Sequence, residues 1–185
     1  SNKTNPGKNG TITIKAKTLW SPSGDSGSKY TAAHGIAVGN FSQRFNKKVS
    51  EDLVKTTINA DVVIEELRGG SIKTTGISSM DCSDLAINGR FTIKPGAISL
   101  MQWNRGDQSK TYGIYMIGSN NTISITSADI DDSKNGSLSD LIKTDESLWG
   151  GKTEKNVLRI GGGTLKVKEN QKERYLISAA KGFRT

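Results

Sequence analysis

Apolar and polar residues alternate along much of this chain, and a two-residue period predicts strands with one face turned inward. Thr11 to Lys17 reads Thr-Ile-Thr-Ile-Lys-Ala-Lys, with Ile12, Ile14 and Ala16 on one face. Leu85 to Ile93 puts Leu85, Ile87, Gly89, Phe91 and Ile93 on one face, although the Asn88-Gly89 pair also suits a hairpin turn. Ile98 to Trp103, Thr122 to Thr126 and Thr164 to Lys168 alternate in the same way, and Tyr175 to Ile177 predicts a late strand. Tyr112 to Ile117 is apolar at both parities, as expected of a central strand covered on both sides. Ile58 to Leu67 suits strand or helix, and the β-branched run Val62-Val63-Ile64 favours strand.

Turn residues separate these runs. Ser119-Asn120-Asn121 reads as a hairpin loop, and Lys94-Pro95-Gly96 and Gly161-Gly162-Gly163 as turns. Helical signals are few. Ser137 is a candidate N-cap, followed by Leu138, Leu141 and Ile142 at helical spacing, and Ser50 to Val54 suits a second short helix with acids in its first turn. No repeat at a fixed period of roughly 20 to 50 residues stands out. The pattern predicts an all-β protein: one β-sandwich domain over residues 1–185, Ig-like or jelly-roll-like, with one or two short helices. Residues 1–18 are an N-terminal strand that could extend beyond it.

Composition sharpens this picture. The apolar fraction is 33%, below that of an ordinary globular domain, so the core is thin and the surface rich in loops. No apolar run reaches the ~18 residues of a membrane span. The single cysteine, Cys82, excludes an intrachain disulfide and reads as a small buried hydrophobe. The net charge of +8 favours acidic partners such as an anionic glycan or a nucleic acid. The basic residues are dispersed; besides Lys47-Lys48, the densest group is Lys166, Lys168, Lys172 and Arg174. With Trp103 and Trp149 they form the candidate ligand-binding set.

The catalytic and metal motifs are incomplete. Trp149-Gly150-Gly151-Lys152-Thr153 ends like a phosphate loop, but Glu146 stands where the first glycine is needed. Asp131 to Gly136 resembles the front half of a calcium loop, yet Ile142 replaces its closing glutamate, which leaves an Asp/Asn/Gly turn. Arg105-Gly106-Asp107 reads as a turn. His34 is the only histidine, and neither it nor Cys82 lies in the local sequence of a nucleophile site. The expectation is a protein without enzymatic activity, cofactor or metal.

The segment Asn9-Gly10-Thr11-Ile12-Thr13-Ile14-Lys15-Ala16 resembles the N-terminal strand of chaperone–usher fimbrial subunits. That resemblance implies that Ile12, Ile14 and Ala16 insert into a groove of a neighbouring subunit by β-strand addition. It further implies a secreted, cell-surface filament subunit that exchanges strands with other subunits and meets a host receptor or anionic glycan. The chain departs from the family in lacking a cysteine pair and in ending Lys181-Gly182-Phe183-Arg184-Thr185. A basic coat or nucleic-acid-binding β-protein and a glycan-binding module are the competing classes.

Overall fold

The computed structural model describes residues 10–17, 32–39, 53–69, 73–100, 110–134, 136–145, 155–168, 175–178 and 183–184. In chain order the strands are β1 (Gly10–Lys17), β2 (Ala32–Gly39), β3 (Val54–Ile58), β4 (Ala60–Gly69), β5 (Lys73–Met80), β6 (Ser83–Ile93), β7 (Ile98–Leu100), β8 (Lys110–Ile117), β9 (Thr122–Asp131), β10 (Asp140–Asp145), β11 (Asn156–Ile160), β12 (Gly163–Lys166), β13 (Tyr175–Ser178) and β14 (Phe183–Arg184). They form a nine-stranded sheet, with the path β1-β4-β6-β9-β11-β14, and a five-stranded sheet ordered β13-β10-β8-β5-β2. No helix occurs among the described residues.

Two sheets on one core agree with the layered all-β expectation. The Ig-like and jelly-roll readings do not hold, because the pairings are parallel. Parallel neighbours cannot be joined by a tight hairpin, so the chain must travel round before it returns to the same sheet. Here it returns by crossing to the other sheet: β5, β6, β8, β9 and β10 alternate between the two. The product is a stack of coils, a β-solenoid. Ser119-Asn120-Asn121 is therefore a corner between sheets and not a hairpin loop.

Stacking in register turns the two-residue pattern into rows along the axis. Ile14, Ile64, Ile93, Ile130 and Leu165 form one row of the larger sheet. Ile58, Ile87, Ile125 and Ile160 form another. In the smaller sheet Ile36, Ile77, Ile114, Ile142 and Ile177 share one register position. Ile64, Ile77, Ile87, Ile93, Ile114, Ile130 and Ile142 are all buried in a single core. Burial of each such side chain is worth about 1.5–3 kcal/mol, so the rows supply much of what holds the coils together.

Two local devices shape the coil. Gly35, Gly76 and Gly113 precede Ile36, Ile77 and Ile114 of the smaller sheet. A Cβ on Gly76 would point inward, 2.9 Å from Ile93 Cδ1, and would lie 2.6 Å from the Gly113 carbonyl oxygen. Gly76 and Ile77 thus both face the core, and the alternation flips there. The second device is the corner before β6, β9 and β11. Cys82, Asn120 and Lys155 adopt left-handed backbone with φ of 55°, 58° and 57°. They are followed by a buried polar column of Ser83, Asn121 and Asn156. Ser83 Oγ donates to Asn121 Oδ1 at 2.8 Å, and Asn121 Nδ2 donates to Asn156 Oδ1 at 3.0 Å. The column also ties down the preceding turn, since Asn121 Nδ2 reaches the Ile117 carbonyl and Asn156 Nδ2 that of Gly118. A buried amide left unpaired is costly, so each member depends on the coil above or below it.

Three further expectations are corrected, while the turn expected at Asp131 to Gly136 is present. The helix expected from Ser137 is a stretch without regular structure followed by β10, in which Leu141 and Ile142 are buried. Asp131 and Asp132 make a turn: Asp131 accepts from the Ser133 amide and hydroxyl, and Asp132 from the Ser137 and Leu138 amides. Asn88-Gly89 is a bulge inside β6, where the register to β9 shifts. A side chain at Gly89 would overlap the Ala60 carbonyl. Of the second expected helix, residues 50–52 lie outside the described residues, and Val54 opens β3.

Candidate functional site

The stack has two ends, and the one that begins with β1 carries the candidate site. Among the described strands β1 pairs only with β4, so the backbone donors and acceptors on its other side meet no described strand. Such an edge is a template for another strand. Ile14 packs against the core, whereas Ile12 is 45% exposed although its register partner Val62 is fully buried. Ala16 is exposed. The segment expected to be an assembly strand is a strand, seated in parallel on its own chain, with no described strand on its far side.

A charged stripe runs beside the first aliphatic row. The residues that immediately follow Ile14, Ile64, Ile93, Ile130 and Leu165 are Lys15, Glu65, Lys94, Asp131 and Lys166. Their signs alternate from coil to coil. Lys94 Nζ lies 2.6 Å from Glu65 Oε1, and Lys166 Nζ lies 3.9 Å from Asp131 Oδ2. The Lys94 hydrogen bond and charge hold the Glu65 carboxyl below the usual carboxylate range, with a smaller contribution from Lys15. The Ser133 hydrogen bonds do the same for Asp131, with Lys166 contributing less. These pairs are exposed and individually weak; what they set is a pattern of sign along the edge of the stack.

A second cluster lies on the outward side of the smaller sheet and spans three coils. Lys73 Nζ on β5 donates to the Tyr115 hydroxyl on β8 at 2.7 Å, and that hydroxyl donates to Asp145 Oδ2 on β10 at 3.2 Å. The ammonium also sits 4.0 Å from the Tyr115 ring centre, and the Tyr112 and Tyr115 rings are 5.0 Å apart. Burial, helped by the Asp145 charge, raises both phenols above the ordinary tyrosine range. Burial lowers Lys73 from its ordinary value. His34 Nδ1 lies 2.6 Å from Thr75 Oγ1, and burial followed by the Lys73 charge lowers its imidazole. The chain of hydrogen bonds is well placed to clamp neighbouring coils. Among the described residues no three of His, Cys, Asp and Glu gather where they could hold a metal ion.

The basic and aromatic set is only partly in view. Lys166 is exposed at the open side of β12, and Lys168 is half-buried just beyond it. Lys172, Arg174, Trp103 and Trp149 lie outside the described residues, as do Arg105-Gly106-Asp107 and the Gly150 to Thr153 segment. Cys82 is buried at its corner, as expected of a small hydrophobe, with Asn120 Nδ2 4.0 Å from its sulfur. Sequence reasoning missed the charged stripe and the Lys73–Tyr115–Asp145 clamp. The signal for the stripe was present: each member follows a residue of the same aliphatic row. The clamp had none, because its residues come from three distant strands.

No protein-family model matches the chain, and no curated protein or solved structure matches it.

Proposed function

We propose that this chain is a non-enzymatic structural or adhesion subunit of an extracellular surface filament, assembling by β-strand addition at the open ends of its stack. The observation that carries the reading is the outer side of β1, where among the described strands a regular parallel ladder stops with Ile12 still exposed. A further strand placed there would continue both the hydrogen bonds and the aliphatic rows. Since Gly10–Lys17 already pairs with β4, the chain acts at this edge as the acceptor of a strand. The resemblance of Asn9 to Ala16 to a fimbrial assembly strand implies donation of this segment to a neighbour, whereas here it lies on its own chain and offers its outer side to a strand from elsewhere.

The test combines sedimentation and negative-stain microscopy of the full chain, over a range of concentration and salt, with titration of extended peptides. Wild type is expected to associate end to end or to bind a peptide. Ile12→Lys places an inward-pointing charge at the edge and is expected to abolish both while leaving the far-ultraviolet circular dichroism unchanged. A chain that stays monomeric and binds no extended peptide under any condition would overturn the reading, as would an Ile12→Lys variant that binds as well as wild type.

A further inference from the structure

The charged stripe says what kind of strand the edge accepts. Along it the signs run positive, negative, positive, negative, positive from Lys15 to Lys166, so the stripe ends on a lysine at both ends. The end strands share this bias. β1 (GTITIKAK), β2 (AAHGIAVG) and β3 (VKTTI) contain no acid, and neither do β12 (GTLK), β13 (YLIS) and β14 (FR). The strand acids stand on interior strands: Asp61, Glu65 and Glu66 on β4, Asp84 on β6, Asp129 and Asp131 on β9, and Asp140 and Asp145 on β10. A second copy stacked head to tail would set Leu165 beside Ile14, which suits the aliphatic row. It would also set Lys166 beside Lys15, breaking the alternation that every interior coil keeps.

We infer that the β1 edge accepts an extended strand of a different protein, one that carries a carboxylate in register with Lys15 and apolar residues in register with Ile12 and Ile14. This rests on the strand-addition reading above. Three things argue for that occupant: the unpaired parallel ladder, the half-finished apolar row, and a terminal lysine whose counterparts inside the stack face an acid on the next coil. Lys15 pairs with Glu66 across a register shift after Ile14 and also acts on the Glu65 carboxyl, so acids lie on its inner side, and the alternation puts a further acid on its outer side. The like charge of Lys15 and Lys166 disfavours homopolymers, so the partner is chosen by charge as well as by shape.

The experiment is a fluorescence-anisotropy titration of the full chain with three labelled peptides. Each alternates Thr and Val, and they differ only in carrying Glu, Gln or Lys directly after the second valine. At low salt the Glu peptide is expected to bind about two- to fivefold tighter than the Gln peptide, the range of one exposed ion pair, and the Lys peptide weakest of the three. The spread should shrink at 1 M salt, where screening is short-ranged, and Lys15→Glu should invert the order. In parallel, Lys166→Glu gives the two ends opposite charge and is expected to raise self-association in sedimentation above that of wild type. Equal binding of the three peptides would overturn the acid preference and leave strand addition standing. Failure of all three to bind would remove both. Circular dichroism of each variant checks that the fold is kept.

Discussion

The interior coils and the first strand carry the same pattern and meet different fates. β4 and β1 are register partners, and both read apolar at every second place around Val62-Val63-Ile64 and Ile12-Thr13-Ile14. Val62 and Ile64 are fully buried, with strands on both sides of β4; Ile12 is exposed, and β1 has one neighbour among the described strands. Burial in a stack of this kind thus depends on how many coils flank a strand, and only weakly on its own residues. The outermost described strands are thus unfinished versions of the interior ones.

Substitutions can break or sharpen that comparison. The largest contrast should be Ile64→Ala against Ile12→Ala: about 2–5 kcal/mol of lost stability in urea for the interior residue, and below about 1 kcal/mol for the edge residue. Equal effects would mean that β1 is covered in solution. Asn121→Ala removes the middle of the polar column and leaves Ser83, Asn156 and the Ile117 carbonyl short of partners. It should cost about 2–3 kcal/mol, whereas Asn88→Ala, on an exposed corner, should cost under about 0.5 kcal/mol. Gly76→Ala would crowd the Gly113 carbonyl and should destabilise by about 1–3 kcal/mol. Gly10→Ala, with open space around it, should be neutral or stabilise by about 0.5 kcal/mol.

The smallest effect concerns pH. The His34 imidazole is held below its ordinary value of 6.5 by burial and by Lys73. The unfolded chain therefore binds the proton more readily, and stability contributed by neutral His34 is fully present above pH 6.5 and lost as pH falls from there through the lower folded-state value. Melting temperature should decline between pH 7.5 and pH 5.5 in wild type and decline less in His34→Gln. An equal decline in both would place the titrating group elsewhere.

Much of the fold is legible in the chain. Strands centred on Ile12, Phe91, Ile125 and Leu165 follow directly from period two, the apolar runs Tyr112 to Ile117 and Tyr175 to Ile177 also point to strands, and β8 is apolar at both parities because both its faces are covered. Strand direction was not legible, because side chains alternate identically in parallel and antiparallel ladders. The corners misled for a related reason: one left-handed residue such as Asn120 looks in sequence like the tip of a hairpin. The coil repeat was hidden by unequal connections, since Ile36 to Ile77 is a long step and Ile114 to Ile142 a short one. Its signature was there as Gly35-Ile36, Gly76-Ile77 and Gly113-Ile114. At Leu138, Leu141 and Ile142 the spacing imitated a helix because the flip at the glycine row turns two consecutive residues inward. Of the candidate site, the strand and Ile12, Ile14 and Ala16 were readable, while the alternation of charge needed the register.

Parallel, in-register coils are the claim on which the rest depends, and one engineered disulfide tests it. Ala86 and Ser124 are small, half-buried register partners on β6 and β9. Adjacent parallel strands lie about 4.8 Å apart, within the roughly 4.4–6.8 Å that a disulfide spans. In a Cys82→Ala background, Ala86→Cys with Ser124→Cys should oxidise rapidly to an intramolecular bond, visible as a faster non-reducing band and a mass lower by two hydrogens, with circular dichroism preserved. Free thiols after oxidation of the folded chain, or a bond that forms only after unfolding, would contradict the stacked-coil account.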